Sequence, residues 1–426
     1  MNFAFSLALY YLCNMAGIYV HIPFCKSRCK YCDFYSTTGG EERKKQSNQN
    51  IPNNLGIPSK QEAYIEAVCH EMELRKEFLQ GESIRTLYFG GGTPSQLSPS
   101  LLGRIVRKAE QIFGINTLDE LTIETNPDDL SQEWIDRLKD ALPQYALRIS
   151  MGIQTFDDSL LKLLGRRHTA PEAVEAVYRL QGNGITEISI DLMYGLPSNR
   201  SHENHGNYRN YGSYEEVWEK DLKRAIELGV PHISAYHLSY EEDTPLYRMR
   251  ERGEIYEVDE EESLACFRLL RHTLLKAGYR HYEISNFALP GHEARHNSSY
   301  WSGIPYLGLG PGAHSYDGTH RTWNYPNLEG YLRGIHGNDT NVISSGETLS
   351  DKERYNEYIM TRLRTARGIS PQEIGILFGE ERERYCRTRA QTYLKNHRLC
   401  ETADGRWALT EEGIFVSDAI IADLFC

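Results

Sequence analysis

Residues 17–36, GIYVHIPFCKSRCKYCDFYS, decide how the rest of the chain is read. The run 18–22 is apolar and β-branched and is stopped by Pro23, so it reads as a strand. Directly beyond it Cys25, Cys29 and Cys32 fall on one loop with C-x3-C-x2-C spacing. Thiolates this close together are soft ligands for zinc or for iron–sulfur clusters. Their number is informative, because a structural zinc site is usually closed by four ligands. Three thiolates on a cubane leave one iron open. A zinc site completed by His21 is the competing reading, with a spacing atypical for zinc.

The chain has 426 residues, 40% hydrophobic and 25% charged, which fits a soluble protein of two or three domains. A net charge of -12 argues against a mainly electrostatic nucleic-acid binder. Nine cysteines on this length make no disulfide framework and fit a reducing, cytoplasmic setting. Residues 1–14 are apolar but lack a basic n-region and are too short to span a bilayer. They read as an N-terminal extension, with Met15 as the expected start, and no other segment reads as a transmembrane helix.

Working outward, two polar insertions stand out, 39–60 and 198–212. Between and around them helices expected at 61–78, 101–113, 131–142, 171–180 and 214–228 alternate with strands at 85–89, 121–124, 147–153, 187–193 and 232–238. With the first strand this makes six strands and a parallel sheet with right-handed crossovers. The expected fold class is α/β, a partial (βα)6 barrel over 15–330. In such folds chemistry gathers at the carboxyl ends of the strands. The cysteine loop, Gly90 to Thr93, Glu124, Gln154, Asp191 and His237 all fall there.

A helix at 260–277, a strand at 282–285 and a loop-rich stretch at 290–324 follow. From about 345 to 426 the pattern is mainly helical, with a hairpin pairing 399–401 with 407–409 and a last helix at 414–425. This resembles a winged helix. From Asp351 onward 12 Lys and Arg stand against 13 Asp and Glu, so no basic DNA-binding face is indicated. The module reads as a lid or docking domain.

An open iron on a [4Fe–4S] cluster can be chelated by an amino acid's amino and carboxylate groups. S-adenosylmethionine is such a ligand, and the hard chemistry would then belong to the cofactor. Gly91 and Gly92 would allow close backbone approach. Glu124 and Asp191 suit ribose hydroxyls or the ammonium group, Arg166 suits the carboxylate, and Tyr31 can stack on adenine.

The cysteine spacing followed by Gly90-Gly91-Gly92-Thr93-Pro94 resembles the radical S-adenosylmethionine proteins. Three stretches, YVHIPFC (19–25), SMGIQTF (150–156) and IDLMYGLP (190–197), are similar to the oxygen-independent coproporphyrinogen III oxidase-like group. The resemblance covers nearly the whole chain from Met15. It implies that Cys25, Cys29 and Cys32 hold the cluster. It also implies that Tyr19, Gly91, Gly92, Thr93, Glu124, Gln154, Arg166 and Asp191 contact S-adenosylmethionine, with Tyr31 the aromatic residue of the loop.

Two departures separate the chain from the oxidase branch. That branch has a further cysteine two positions after the third, where this chain has Phe34, and a longer segment before its cysteines. HNSSYW (296–301) matches instead the H-N-x-x-Y-W signature of the haem-chaperone branch, which implies haem binding and transfer to an acceptor protein. On that reading His296 is a candidate axial ligand, with Asn297, Tyr300 and Trp301 beside the porphyrin. The plain alternative is that His296 and Asn297 fix a loop while Tyr300 and Trp301 pack in the core. His237, His314 and His320 are competing ligands. The rival functions are an anaerobic coproporphyrinogen III oxidase or another radical enzyme.

Overall fold

The computed structural model describes residues 15–38, 59–79, 81–197, 214–339 and 343–426. The extension expected at 1–14, the insertion at 198–212 and nearly all of the insertion at 39–60 lie outside the described residues.

Six strands run parallel and pair in chain order: β1 (Met15–Ile22), β2 (Ser83–Gly91), β3 (Glu120–Thr125), β4 (Leu147–Gln154), β5 (Glu187–Tyr194) and β6 (His232–His237). Crossover helices lie between them: α1 (Lys60–Leu74), α2 (Pro99–Phe113), α3 (Gln132–Ala141), α4 (Asp158–Leu164), α5 (Ala170–Gly182) and α6 (Tyr214–Glu227). The partial (βα)6 barrel expected from the sequence is the fold observed. Local signals set the helix starts. Ser59 with Glu62, and Thr169 with Glu172, form reciprocal capping boxes at α1 and α5. Ser131 accepts from the Trp134 N–H at α3.

Alternation along the strands builds two different faces. Ile18, Val20, Leu87, Phe89, Ile123 and Ile190 are fully buried in the main core. That core is shared with helix residues such as Val68, Ile105, Leu138 and Leu222. Each such side chain contributes about 1.5–3 kcal/mol by leaving water. The intervening positions, Tyr19, Tyr88, Glu124, Ser150, Asp191 and Ser234, are polar and fall on the opposite face.

The sheet continues beyond the barrel on both sides. After α7 (Pro245–Glu251) and α8 (Glu260–Lys276), β6 pairs antiparallel with β8 (Asn286–Ala288), which pairs with β7 (Arg280–Glu283). The strand expected at 282–285 instead ends at Glu283, and residues 284–285 form the turn that leads into β8. The stretch 290–324, expected as loop, holds α9 (Arg295–Trp301), β9 (Tyr306–Leu309), β10 (His314–Tyr316) and β11 (His320–Asn324). β9 lies parallel to β1, and β10, β11 and β12 (Ser344–Thr348) extend it as an antiparallel flap around α10 (Leu328–His336). The sheet thus runs past residue 330. These strands of three to five residues, separated by glycines, are too short to show a clear period. Gly308 shows why glycine is needed: a Cβ there would lie 1.9 Å from the His314 carbonyl oxygen.

The C-terminal region has α11 (Asp351–Leu363), α12 (Pro371–Phe378) and α13 (Glu380–Lys395). A hairpin of β13 (Leu399–Glu401) and β14 (Trp407–Leu409) follows, then α14 (Glu411–Ile414) and α15 (Ser417–Leu424). The helix expected at 414–425 is interrupted at Phe415 and Val416. This region has its own core, with Tyr355, Ile359, Leu363, Cys386, Trp407 and Ile420. Main-chain bonds dock it on β7: the Ile284 N–H donates to Arg364 (3.0 Å) and the Ala366 N–H to Tyr282 (3.0 Å). The Arg364 guanidinium also reaches the buried Glu283 carboxylate at 3.1 Å.

Candidate functional site

The cysteine loop leaves the carboxyl end of β1 and is closed on itself. Phe24–Cys25 pairs with Thr37–Thr38, and the Thr37 N–H donates to the Pro23 carbonyl at 2.7 Å. The Lys30 N–H donates to the Leu164 carbonyl at 2.9 Å, fixing the loop on α4. Cys25, Cys29 and Cys32 line one pocket of about 470 Å³ together with Gly91, Glu124 and Arg166. Among the described residues no three His, Cys, Asp or Glu side chains converge as a single ion requires. Three thiols on one pocket wall suit a multi-iron cluster, with one iron per thiolate. His21 is engaged elsewhere, its Nε2 2.9 Å from the Tyr35 carbonyl and its Nδ1 3.1 Å from the Tyr19 hydroxyl. It has no free nitrogen to complete a zinc site.

The polar faces of β2 to β6 furnish the remaining walls. Glu124 accepts from the Tyr88 hydroxyl (2.6 Å) and from the Gly91 N–H (3.1 Å). Burial pushes its carboxyl up to about 7, with nearby Asp191 adding to the rise while those two bonds pull it down. Burial likewise raises Asp191 to about 6, against hydrogen bonds from Ser234 and Ser150 and the charge of Arg166. Such carboxyls favour a ligand that brings positive charge or hydroxyl donors. Arg166 donates to Asn126 Oδ1 (2.6 Å), to the Gly152 carbonyl (2.5 Å) and to Cys29 Sγ (3.4 Å), while its buried Nε has no partner.

Two backbone features show close approach at this rim. Gly91 has φ 103°, and a Cβ on it would lie 2.6 Å from the His21 ring. Gln154 is a non-glycine residue at φ 74°, beside a register shift between β4 and β5. Holding it there costs about 1–3 kcal/mol, which the surrounding strands sustain. Gln154, Gly92, Thr93, Tyr31 and Asp191 all line the small pocket. Tyr19, expected with them, lines a second cavity instead. Sequence reasoning missed Asn126 and Tyr236 as members of the small pocket. Asn126-Pro127 at the end of β3 was the available signal for the first.

The second cavity, of about 1080 Å³, lies between the barrel, the antiparallel flap and the C-terminal helices. Tyr300, Trp301, Tyr306, Trp323, Tyr358 and Phe378 give it an aromatic lining. Asp33 and Phe34, just after the third cysteine, line both spaces and form their common wall. Phe34 is 63% exposed, so its ring stands outside the core at the boundary of the two spaces.

The HNSSYW residues are divided by this geometry. His296 is buried and stacked on Tyr88 at 5.0 Å between ring centres. Its Nδ1 is 2.7 Å from Thr86 Oγ1 and its Nε2 2.7 Å from the Tyr300 hydroxyl, so both nitrogens are engaged. Burial drives its pKa down to about 3 and keeps the ring neutral. Asn297 lines neither cavity, whereas Tyr300 and Trp301 do line the larger one. Of the competing histidines, His237 lines the small pocket and bonds Ser263 Oγ at 2.9 Å. His320 pairs with Asp317 in a surface turn. Only His314 of the three faces the larger cavity.

Comparison with known proteins agrees with this architecture. The family model of the Radical SAM superfamily matches residues 19–208, and that of the HemN C-terminal domain matches residues 349–416. The chain is 34% identical over 351 residues to the heme chaperone HemW of Lactococcus lactis, covering 82% of each chain. It is 32% identical over 430 residues to the heme chaperone HemW of Synechocystis, covering 96% of this chain and 95% of the relative. Among solved structures, coproporphyrinogen III oxidase (HemN) from Escherichia coli superposes with a TM-score of 0.75 at 19% identity. That superposition covers 97% of this chain and 90% of the oxidase, and shows a shared fold. With its cysteine loop, polar barrel rim and helical C-terminal module, the chain belongs to the HemW family of radical S-adenosylmethionine proteins.

Proposed function

We propose that the chain is a cytoplasmic haem chaperone that holds haem in the larger cavity and releases it to an acceptor protein. On this reading Cys25, Cys29 and Cys32 hold a [4Fe–4S] cluster, and the rest of the small pocket holds S-adenosylmethionine. When bound, that pair supplies one-electron chemistry at the sulfonium. Arg166 donates to Cys29 Sγ at 3.4 Å and so helps to hold that side chain toward the pocket. Gly91, Gly92 and Thr93 offer close backbone approach, and Glu124 and Asp191 would take hydroxyl or ammonium donors. Gln154 and Tyr31 complete the pocket wall.

The observation that carries the reading is the placement of the larger cavity. It is open, aromatic and bounded by a separate C-terminal module, as a site that must both hold and release a flat apolar ligand requires. Its volume lies just above the roughly 300–1,000 Å³ usual for ligand pockets. Tyr300 and Trp301 contribute porphyrin-facing surface, and His296 holds the Tyr300 hydroxyl from behind; Asn297, one residue on, would serve the haem from the same helix. No helix among the described residues is long and apolar enough to cross a membrane.

Anaerobic reconstitution followed by haem titration and a deoxyadenosine assay on one sample tests the proposal. A saturable Soret shift near one equivalent, and movement of haem to an apo-acceptor, are expected. Turnover of coproporphyrinogen with methionine and deoxyadenosine release would replace the chaperone reading with the oxidase one.

A further inference from the structure

The larger cavity contains one histidine whose ring is free to bind a metal. His314 is exposed into the cavity, and neither ring nitrogen has a hydrogen-bond partner among the described residues. The other histidine on this wall, His21, has both nitrogens engaged, and so has His296 behind it. Desolvation and the charge of Arg321 lower the His314 pKa, which keeps the neutral, coordinating form present near pH 7.

Strand register explains why His314 is presented there. His314 pairs with Trp323, Tyr316 with Arg321, and Tyr306 with Tyr316 across β9, β10 and β11. With a period of two, these side chains share one face of the flap, and all five line the cavity. The opposite face is buried: Ser315 and Thr322 both accept from the Arg75 guanidinium, at 3.0 and 3.1 Å. The flap is therefore pinned from behind while the His314 ring stacks on Trp323, 6.1 Å between centres and 27° between planes. Gly308 lets β9 approach the His314 backbone closely, which fixes the position of its Cα.

The wall opposite the flap holds two arginines outside any ion pair among the described residues, while its carboxylates Glu357 and Glu373 are already paired with Arg321 and Arg406. Arg362 donates to the main-chain carbonyls of Trp301 (3.2 Å) and Ser302 (2.8 Å) rather than to a carboxylate. Arg367 stands exposed on the cavity rim with no carboxylate in ion-pair contact among the described residues. An aromatic cleft with a free imidazole on one wall and guanidinium groups outside any ion pair on the other matches a metalloporphyrin bearing two carboxylates.

We infer that His314 is the axial ligand of the iron of a haem seated in this cavity, and that Arg367, with Arg362 beside it, meets the propionates. The inference deepens the haem-chaperone reading and rests on it. It assigns the ligand to β10 rather than to His296, whose part is to hold Tyr300 in the cavity wall.

The test uses the full chain with ferric haem, read by electron paramagnetic resonance and resonance Raman, in which cluster absorption does not interfere. His314→Ala is expected to lose the histidine-ligated signature, and free imidazole is expected to restore it. His314→Met should shift the signature, and Arg367→Ala should weaken haem about threefold while leaving haem dimethyl ester unaffected. If the wild-type chain takes up no haem, the functional reading itself fails. If it takes up one equivalent but His314→Ala and His314→Met both keep the wild-type spectrum, the ligand assignment alone is overturned. The same holds if imidazole fails to restore the signature.

Discussion

The two cavities on either side of Phe34 are built by opposite means. The smaller one stands on the carboxyl ends of parallel strands, each locked between neighbours and covered by helices. Its polar groups are bonded to one another before any ligand enters, as in the Tyr88–Glu124–Gly91 and Asn126–Arg166–Cys29 sets. The larger one stands on an antiparallel flap at the sheet edge and on helices of a separately cored module. Its tyrosines are tied to the scaffold behind them, Tyr300 to His296, Tyr316 to the Gly318 carbonyl and Tyr358 to Glu373. Rigid strand ends suit a reagent whose atoms must be held to a fraction of an ångström. A cleft between separately cored modules suits a ligand that has to leave, because the two sides can move relative to each other without disturbing either core.

If the two spaces are functionally distinct, removing the small one should leave the large one able to bind. Cys29→Ser is expected to abolish the absorbance and most of the iron of the reconstituted cluster, the largest effect anticipated. Haem uptake should remain near one equivalent, because Cys29 lines only the smaller pocket. An unchanged iron content would refute the cluster assignment, and simultaneous loss of haem uptake in a folded protein would refute the separation of the sites.

Glu124→Gln asks the same question more gently. The amide keeps the shape but lacks the charge, and it cannot accept from both Tyr88 and Gly91 with two oxygens. Losing a charge-assisted contact of about 1.5–3 kcal/mol predicts that S-adenosylmethionine binds roughly 10–100-fold more weakly. Haem affinity should not change. Equilibrium dialysis under anaerobic conditions reads the first, and haem titration the second. Equal weakening of both ligands would mean that the common wall couples them.

The smaller site was legible in the sequence to a degree that the larger was not, for a physical reason. Ligands at strand ends announce themselves by breaking a pattern: Cys25, Glu124 and Asp191 interrupt or end apolar runs whose period is plain. Tyr19 was the exception, since alternation places it on the inner face but does not say which side of that face it meets. The larger cavity is made from short strands and from helices distant in sequence. His314, Tyr316, Arg321 and Trp323 alternate as strand residues should, but over only three to five positions between glycines. The HNSSYW signature drew attention to the right region, and burial decides what His296 can do there. No sequence period reports that both of its nitrogens already have partners.

A smaller effect separates the pockets by titration. Glu124 (about 7) and Asp191 (about 6) in the small pocket, and Asp221 (about 7) behind it, are buried carboxyls with raised pKa values. Asp221 is spoken for, accepting from Thr155 Oγ1 at 2.7 Å and the Phe156 N–H at 2.8 Å. Near pH 6 the folded chain holds protons on these groups that the unfolded chain has released, so stability falls as pH rises. The contribution is complete below the ordinary carboxyl range and is lost as pH passes about 7. Neutral buried His296 and His168 act in the other direction below about 6.5, so the wild-type curve alone is a mixture. The difference between wild type and Glu124→Gln removes that background. The variant's melting temperature should fall less steeply between pH 5.5 and 7.5, by a few degrees, on the order of 1–3 kcal/mol. Adding S-adenosylmethionine to the cluster-loaded wild type should flatten the slope in the same way, because its ammonium group and hydroxyls favour ionised Glu124 and Asp191. Asp221→Asn should flatten the ligand-free slope too, and its effect should persist when the ligand is present. A wild-type slope that ignores S-adenosylmethionine would mean that these carboxyls face packing rather than ligand, and the small pocket would have to be redrawn around Arg166 and the cysteines alone.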